Sequence, residues 1–186
     1  MKIPTVFIFH GVGGNAQENW FPWLKEQLKA RSFRVIVPDF PHSDHPDLTE
    51  WMEHFSQWND QLNDQSILVG HSLGGAFALR LLEKVRQPVR ASFLVASVWG
   101  VMGNQFDPPM KTFTVPPYDW KTIRKNSKHF SVLHSDNDPF IKLSQAQALA
   151  RHLETRVTLV RGGGHINAGA GFTTFPFLRE QITATA

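Results

Sequence analysis

Apolar and polar positions alternate along the chain in two distinct patterns. Short apolar runs, typical of buried strands, occur at residues 5–10, 33–37, 67–69, 91–96, 130–134 and 156–160. Between them, apolar residues at helical spacing predict helices over about residues 16–30, 48–62, 73–84, 144–153 and 175–182. Since parallel strands need crossover connections, this alternation predicts an α/β fold: a mostly parallel six-stranded sheet flanked by helices on both faces.

Two stretches interrupt this alternation. Prolines at both ends and in the middle of residues 38–47 predict a loop. Residues 98–118 contain four prolines and several large apolar side chains, which predict a long irregular connection. Long connections of this kind are usually functional or disordered. A length of 186 residues predicts a single domain spanning residues 1–186.

A serine lies between two glycines where the third strand passes into a helix, in the sequence GHSLG at residues 70–74. A sharp strand-to-helix turn lifts a serine hydroxyl out of the sheet edge, at the cost of strained backbone angles. Gly70 and Gly74 remove side chains that would clash where strand and helix pass closely. The motif therefore predicts a nucleophile elbow at Ser72. The alternative is a glycine-rich helix start with Ser72 as the capping residue.

A serine nucleophile needs a base and an acid, which follow it in the chain on such a scaffold. His165 lies in the loop directly after the sixth strand, where a base should project from the carboxyl end. The acid that orients it should follow the fifth strand, where both Asp136 and Asp138 occur. Either aspartate could instead be a turn residue. Spacing alone leaves the choice between them open.

The remaining requirement is a pair of backbone N–H groups to hold an oxyanion. We expect one from Leu73, the residue after the nucleophile, and one from Val12 in the glycine-rich loop after the first strand. That loop lacks the spacing and the lysine of a phosphate-binding loop. Trp99 and Phe106, in residues 98–118, are predicted substrate-binding residues, because that segment starts beside the elbow. The alternative is that these rings only fill the core.

Composition excludes several other functions. Without cysteine, disulfides and thiolate catalysis are impossible, and we expect a cytoplasmic protein. The N-terminus predicts a first strand rather than a signal peptide, and no window approaches the ~18 apolar residues of a membrane helix. The net charge of +3 and one basic helical face, which we interpret as solvated, predict no nucleic-acid partner. We interpret the histidines and aspartate of residues 42–45 as a polar loop, and expect no metal and no cofactor.

In their order along the chain, the segments FIFHGVGGN, GHSLGG, SDNDPF and GGGH resemble the α/β-hydrolases. The chain is most similar to the small, cap-less serine hydrolases that include the retinoblastoma-binding serine hydrolase and the YdeN-like proteins. The resemblance implies a serine, aspartate and histidine triad and places the acid at the Asp-Pro pair, hence at Asp138. It also supports Ser72 and His165. The retinoblastoma-type partner needs a cysteine-containing motif and is therefore not expected.

Together these features predict a serine hydrolase that cleaves small carboxylic esters by acyl transfer. One alternative is a catalytically weak protein of the same fold that acts as a binding or interaction module. Another is a peptidase or a thioesterase that uses the same site. The sequence does not discriminate between leaving groups, and it does not predict an oligomeric state.

Overall fold

A single parallel sheet of six strands organises the computed structural model, which describes residues 3–185. The strands are β1 (Thr5–Phe9), β2 (Arg34–Ile36), β3 (Ile67–His71), β4 (Ala91–Val95), β5 (Phe130–Ser135) and β6 (Val157–Val160). They lie in the order β2-β1-β3-β4-β5-β6, and every neighbouring pair is parallel. The α/β fold with a six-stranded parallel sheet is thus confirmed.

Helices cover both faces of this sheet. They are α1 (Phe21–Lys29), α2 (Leu48–Phe55), α3 (Leu73–Leu82), α4 (Asp107–Thr114), α5 (Trp120–Lys125), α6 (Leu143–His152) and α7 (Pro176–Ala184). Alternate β1 side chains show the two layers, because successive residues of a strand point to opposite faces. Phe7 and Phe9 pack with α2 to α6, whereas Val6 and Ile8 pack with α1 and α7. Each layer buries a separate apolar cluster against the sheet.

The segment between β4 and α5 differs from its prediction. It was expected to be irregular over residues 98–118, but it contains the two-turn helix α4. Pro108 and Pro109 lie in the first turn of that helix, where a backbone N–H has no partner to lose. The prolines that indicated a loop therefore begin a helix. Among residues 3–185 no separate cap domain covers the sheet.

Two predicted helices are also shorter than expected. The helix expected over residues 16–30 begins only at Phe21, after a turn-rich loop. The helix expected over residues 48–62 ends at Phe55 and continues as a 3₁₀ helix over Ser56–Gln61.

No helix in the described part of the chain has the length and apolar character needed to cross a bilayer. The carboxyl ends of β1, β3, β5 and β6 meet at one edge of the sheet, where loops can form a site.

Candidate active site

Ser72 occupies the sharp turn between β3 and α3. Its φ of 54° and ψ of −120° are unusual for a residue with a side chain. Its hydroxyl makes no capping hydrogen bond to the start of α3. The interpretation of Ser72 as a helix cap is therefore wrong, and the strained turn has the geometry of a nucleophile elbow.

The glycines on both sides of this turn allow close passage of the backbone. A Cβ atom on Gly70 would lie 2.6 Å from the Cα of Gly75, in the first turn of α3. A Cβ on Gly74 would lie 2.6 Å from the carbonyl carbon of Phe9, at the end of β1. The expected need for glycine at both positions is confirmed. At Gly74 the close contact is with the end of the neighbouring strand β1, at Phe9 and His10.

His165 and Asp138 meet across the loops that follow β6 and β5. The Nδ1–H of His165 donates to Oδ2 of Asp138 over 2.8 Å. The carboxylate side chain is fully buried, and its Oδ1 accepts from the backbone N–H groups of Phe140 and Ile141 at 2.9 and 3.1 Å. Because Nδ1 of His165 carries the shared proton, its Nε2 is left as the basic nitrogen of the ring.

The electrostatics of Asp138 favour its ionised form. Burial, the largest single influence, would raise the pKa of this carboxyl. The hydrogen bond and charge of His165, with the two backbone N–H groups, outweigh burial and lower the pKa below its usual range. A charged carboxylate held in this way fixes the orientation of the imidazole and stabilises its protonated form.

Asp136, the other sequence candidate, lies apart from the imidazole. Its Oδ1 accepts from the backbone N–H of Gly162 over 2.8 Å, and Oδ2 is 3.9 Å from the Arg161 guanidinium. This contact ties the start of the β6–α7 loop to the end of β5. Asp136 therefore stabilises the loop after β6 through Gly162, whereas Asp138 is the aspartate that contacts His165.

Ser72 and His165 line one cavity of about 240 Å³ at the carboxyl edge of the sheet. The apolar side of its lining, meaning its apolar residues, comprises Val98, Met102, Phe106, Met110, Phe140 and Ile141. The polar side of the lining includes Glu18, Asn19 and Asn167. Burial raises the pKa of the Glu18 carboxyl, which accepts hydrogen bonds from the Asn15 backbone and the Asn19 side chain.

The two N–H groups expected to hold an oxyanion are both available. Within residues 3–185, neither the Val12 nor the Leu73 N–H donates to a protein acceptor. Val12 lines the cavity, and Leu73 is the first residue of α3, where N–H groups lack intrahelical partners. A Cβ on Gly11 would lie 3.3 Å from the Ser72 hydroxyl, so the loop after β1 passes directly beside the serine.

Comparison with known proteins decides the family. A sequence model of the serine hydrolase family matches residues 6–184. The chain belongs to the serine hydrolase family. Membership makes this protein a hydrolase, as the resemblance of its motifs implied.

Two relatives of this serine hydrolase align over most of its length, and a third aligns over less than half of it. The YdeN protein of Bacillus subtilis is 29% identical over 96% of this chain and 94% of its own. Its crystal structure superposes with a TM-score of 0.92 over 98% of both chains, at 28% identity. Serine hydrolase RBBP9 of Rattus norvegicus is 24% identical over 89% of each chain. A pimeloyl-[acyl-carrier protein] methyl ester esterase of Legionella pneumophila is 30% identical over 47% of this chain and 35% of its own.

Of the two predicted substrate-binding residues, the serine hydrolase brings only Phe106 to the cavity. Trp99 packs elsewhere: its indole N–H donates to the Gln145 carbonyl at 3.0 Å, and its ring contacts Trp120 and His152. This position pairs the indole N–H and packs the apolar ring, as a tryptophan side chain requires. Trp99 therefore does not line the cavity. The prediction that Trp99 binds substrate is wrong; its ring packs against the core, as the alternative had it.

Sequence reasoning missed Phe140 and the polar side of the cavity. Phe140 is 41% exposed, and its ring lies edge-on to His165 with centroids 5.1 Å apart. Its position two residues after Asp138 was the available signal. Glu18 gave no signal, because only the folded loop after β1 brings it to the cavity that Ser72 lines. Among residues 3–185, no three carboxylates or imidazoles cluster to hold a metal ion.

Proposed function

We propose that this serine hydrolase cleaves small carboxylic esters with Ser72 as nucleophile, His165 as base and Asp138 as the orienting acid. The observation that carries the proposal is the hydrogen bond from His165 Nδ1 to Asp138, in the cavity that also contains the strained Ser72. A serine hydroxyl is a weak nucleophile until a base takes its proton. The Nε2 of His165, whose Nδ1–H is held by Asp138, supplies that base.

The reaction proceeds in two half-cycles. The Ser72 oxygen attacks the ester carbonyl while its proton passes to Nε2 of His165, and the carboxylate of Asp138 stabilises the resulting imidazolium. The N–H groups of Val12 and Leu73 stabilise the negative oxygen of the tetrahedral intermediate. The intermediate collapses, Nε2–H protonates the leaving alcohol, and an acyl-enzyme remains. Water then repeats the same steps and releases the acid and the free serine.

Two observations favour a small ester. The cavity of about 240 Å³ is smaller than the roughly 300–1,000 Å³ of sites that enclose drug-sized ligands. A relative that aligns with 47% of this chain is named as a pimeloyl-[acyl-carrier protein] methyl ester esterase, which favours an ester as the bond cleaved. The test is a leaving-group panel with one acyl group: a butyryl ester, a butyryl thioester and a butyryl anilide. We expect kcat/KM to be highest for the ester; a higher value for the anilide or thioester contradicts the proposal.

Acyl chain length should have a clear optimum. Each methylene gains about 0.8 kcal/mol only while apolar surface remains to bury it. The apolar side chains of Met102, Phe106 and Phe140 line a cavity of only about 240 Å³, which offers a long acyl chain little room. Hydrolysis of p-nitrophenyl esters should therefore peak at about two to six acyl carbons and fall steeply by about twelve. Rates measured across the critical micelle concentration should show no jump; a rate that rises through long chains contradicts this expectation.

Negatively charged acyl groups should be poor substrates. Glu18 lines the cavity, and its hydrogen bonds come from the uncharged Asn15 backbone and Asn19 side chain, so its ionised carboxylate would repel an anionic acyl group. We expect p-nitrophenyl hemisuccinate to have a lower kcat/KM than p-nitrophenyl butyrate. In Glu18→Gln the ratio of the butyrate value to the hemisuccinate value should fall by about three- to tenfold. The control is Glu26→Gln on the exposed face of α1, which should leave the ratio unchanged. An unaltered ratio in Glu18→Gln rejects the charge effect.

A further inference from the structure

His71, the residue directly before the nucleophile, reaches across to the loop of the base. Its side chain is buried at the end of β3, and its Nε2–H donates to the backbone carbonyl of His165 over 2.9 Å. The two residues are 94 positions apart in the chain. Because Ser72 follows His71 directly, this single hydrogen bond connects the backbone of the elbow to the backbone of the base.

The loop that carries His165 depends on such contacts. Gly162, Gly164 and Ile166 all have positive φ, so the chain between β6 and the 3₁₀ turn at Ala168–Ala170 is tightly kinked. Side chains from other elements bind its backbone on two sides. Ser135, Asp136 and Asn137 bind Gly162 and Gly164, and the Trp20 indole donates to the Ile166 carbonyl. None of these side chains binds the carbonyl of His165 itself, whereas the His71 side chain does.

The protonation state of His71 suits this contact. A carbonyl oxygen only accepts, so Nε2 must carry the hydrogen. Burial, with a smaller contribution from the charge of His165, lowers the pKa of His71 to about 3, which keeps the ring neutral during catalysis. Nδ1 is buried without a hydrogen-bond partner. Trp20 and Phe21 contact the ring edge-on at centroid distances of 6.1 and 5.9 Å and restrict its rotation.

We propose that His71 is a positioning residue: its Nε2–H holds the His165 backbone at the distance from Ser72 that proton transfer needs. The inference rests on the proposed function. A positioning role predicts an effect on chemistry rather than on binding, because misplacing a reacting group by about 1 Å costs about 10²-fold in rate. A role in packing alone predicts that any side chain of similar size serves equally well.

The test compares three substitutions at this position. Glutamine places an amide N–H near the location of Nε2, whereas asparagine is too short to reach the carbonyl and leucine has no donor. For His71→Leu and His71→Asn we expect kcat on p-nitrophenyl butyrate to fall about 10- to 100-fold while KM changes less than about threefold. His71→Gln should regain at least about fivefold of that loss.

Circular dichroism and thermal unfolding identify which variants are folded. If the leucine variant does not fold, the glutamine and asparagine variants give the same comparison, since both replace the ring with an uncharged amide. Equal kcat values for glutamine and asparagine, or a folded leucine variant within twofold of the wild type, overturn the positioning role. A wild-type protein that hydrolyses none of the esters and resists a fluorophosphonate probe overturns the proposed function instead.

Discussion

Replacing Ser72 with alanine is expected to lower the turnover of p-nitrophenyl butyrate by about 10³-fold or more, and His165→Ala should do the same. Without the hydroxyl no acyl-enzyme forms, and without the imidazole no group takes the proton of Ser72. The two losses should not add in the double variant, because the residues act as one unit. Steady-state kinetics on folded protein of known total concentration measure each loss.

A covalent probe separates loss of the nucleophile from loss of the fold. A fluorophosphonate should label wild-type protein on Ser72, as located by peptide mass mapping, and should not label the Ser72→Ala variant. Exposed residues provide matched controls: Ser144→Ala at the start of α6 and His45→Ala in the loop before α2 should keep wild-type rates. Wild-type turnover in Ser72→Ala, or labelling at another serine, contradicts the assignment of the nucleophile.

Asp138→Asn is expected to cost up to ~10⁴-fold in kcat. The amide oxygen would keep the hydrogen bonds from the N–H groups of Phe140 and Ile141, so the NH₂ group would face Nδ1 of His165. Two donors cannot share that contact. The imidazole would move its proton to Nε2 and would lose the basic nitrogen that Ser72 needs.

Asp136→Asn is the matched control for this change, with the same isosteric loss of charge two residues away. Its amide oxygen can still accept from the Gly162 N–H, so we expect a loss of less than about tenfold. The comparison is made on kcat at a pH where the wild type is fully active. If Asp136→Asn is the more damaging change, the orienting acid is Asp136 and the hydrogen bond of Asp138 is only structural.

Local sequence patterns predicted the scaffold well but misjudged the segment after β4. Asp107, Pro108 and Pro109 begin α4, although prolines usually mark the end of regular structure. The same residue type starts a helix or breaks one, depending on whether its missing N–H has a partner to lose. Trp99 shows a related limit, because an apolar ring has no local feature that directs it to a cavity rather than to a neighbouring helix.

The sequence by itself determined the alternation of strands and helices and the elbow at Ser72. Both depend on neighbours in the chain: burial follows the spacing of apolar residues, and the sharp turn needs the glycines two positions away. It also limited the acid to two aspartates. The resemblance of the motifs to the family pointed to Asp138, but spacing alone did not choose between them. The contact itself is a property of the tertiary structure, because Asp138 meets His165 across 27 positions of chain.

The contact of His71 with the His165 carbonyl and the place of Glu18 in the cavity lining were likewise decided by tertiary structure alone. Each depends on how loops from separate strands meet at one edge of the sheet. The spacing of residues within one segment cannot predict how loops from different strands meet.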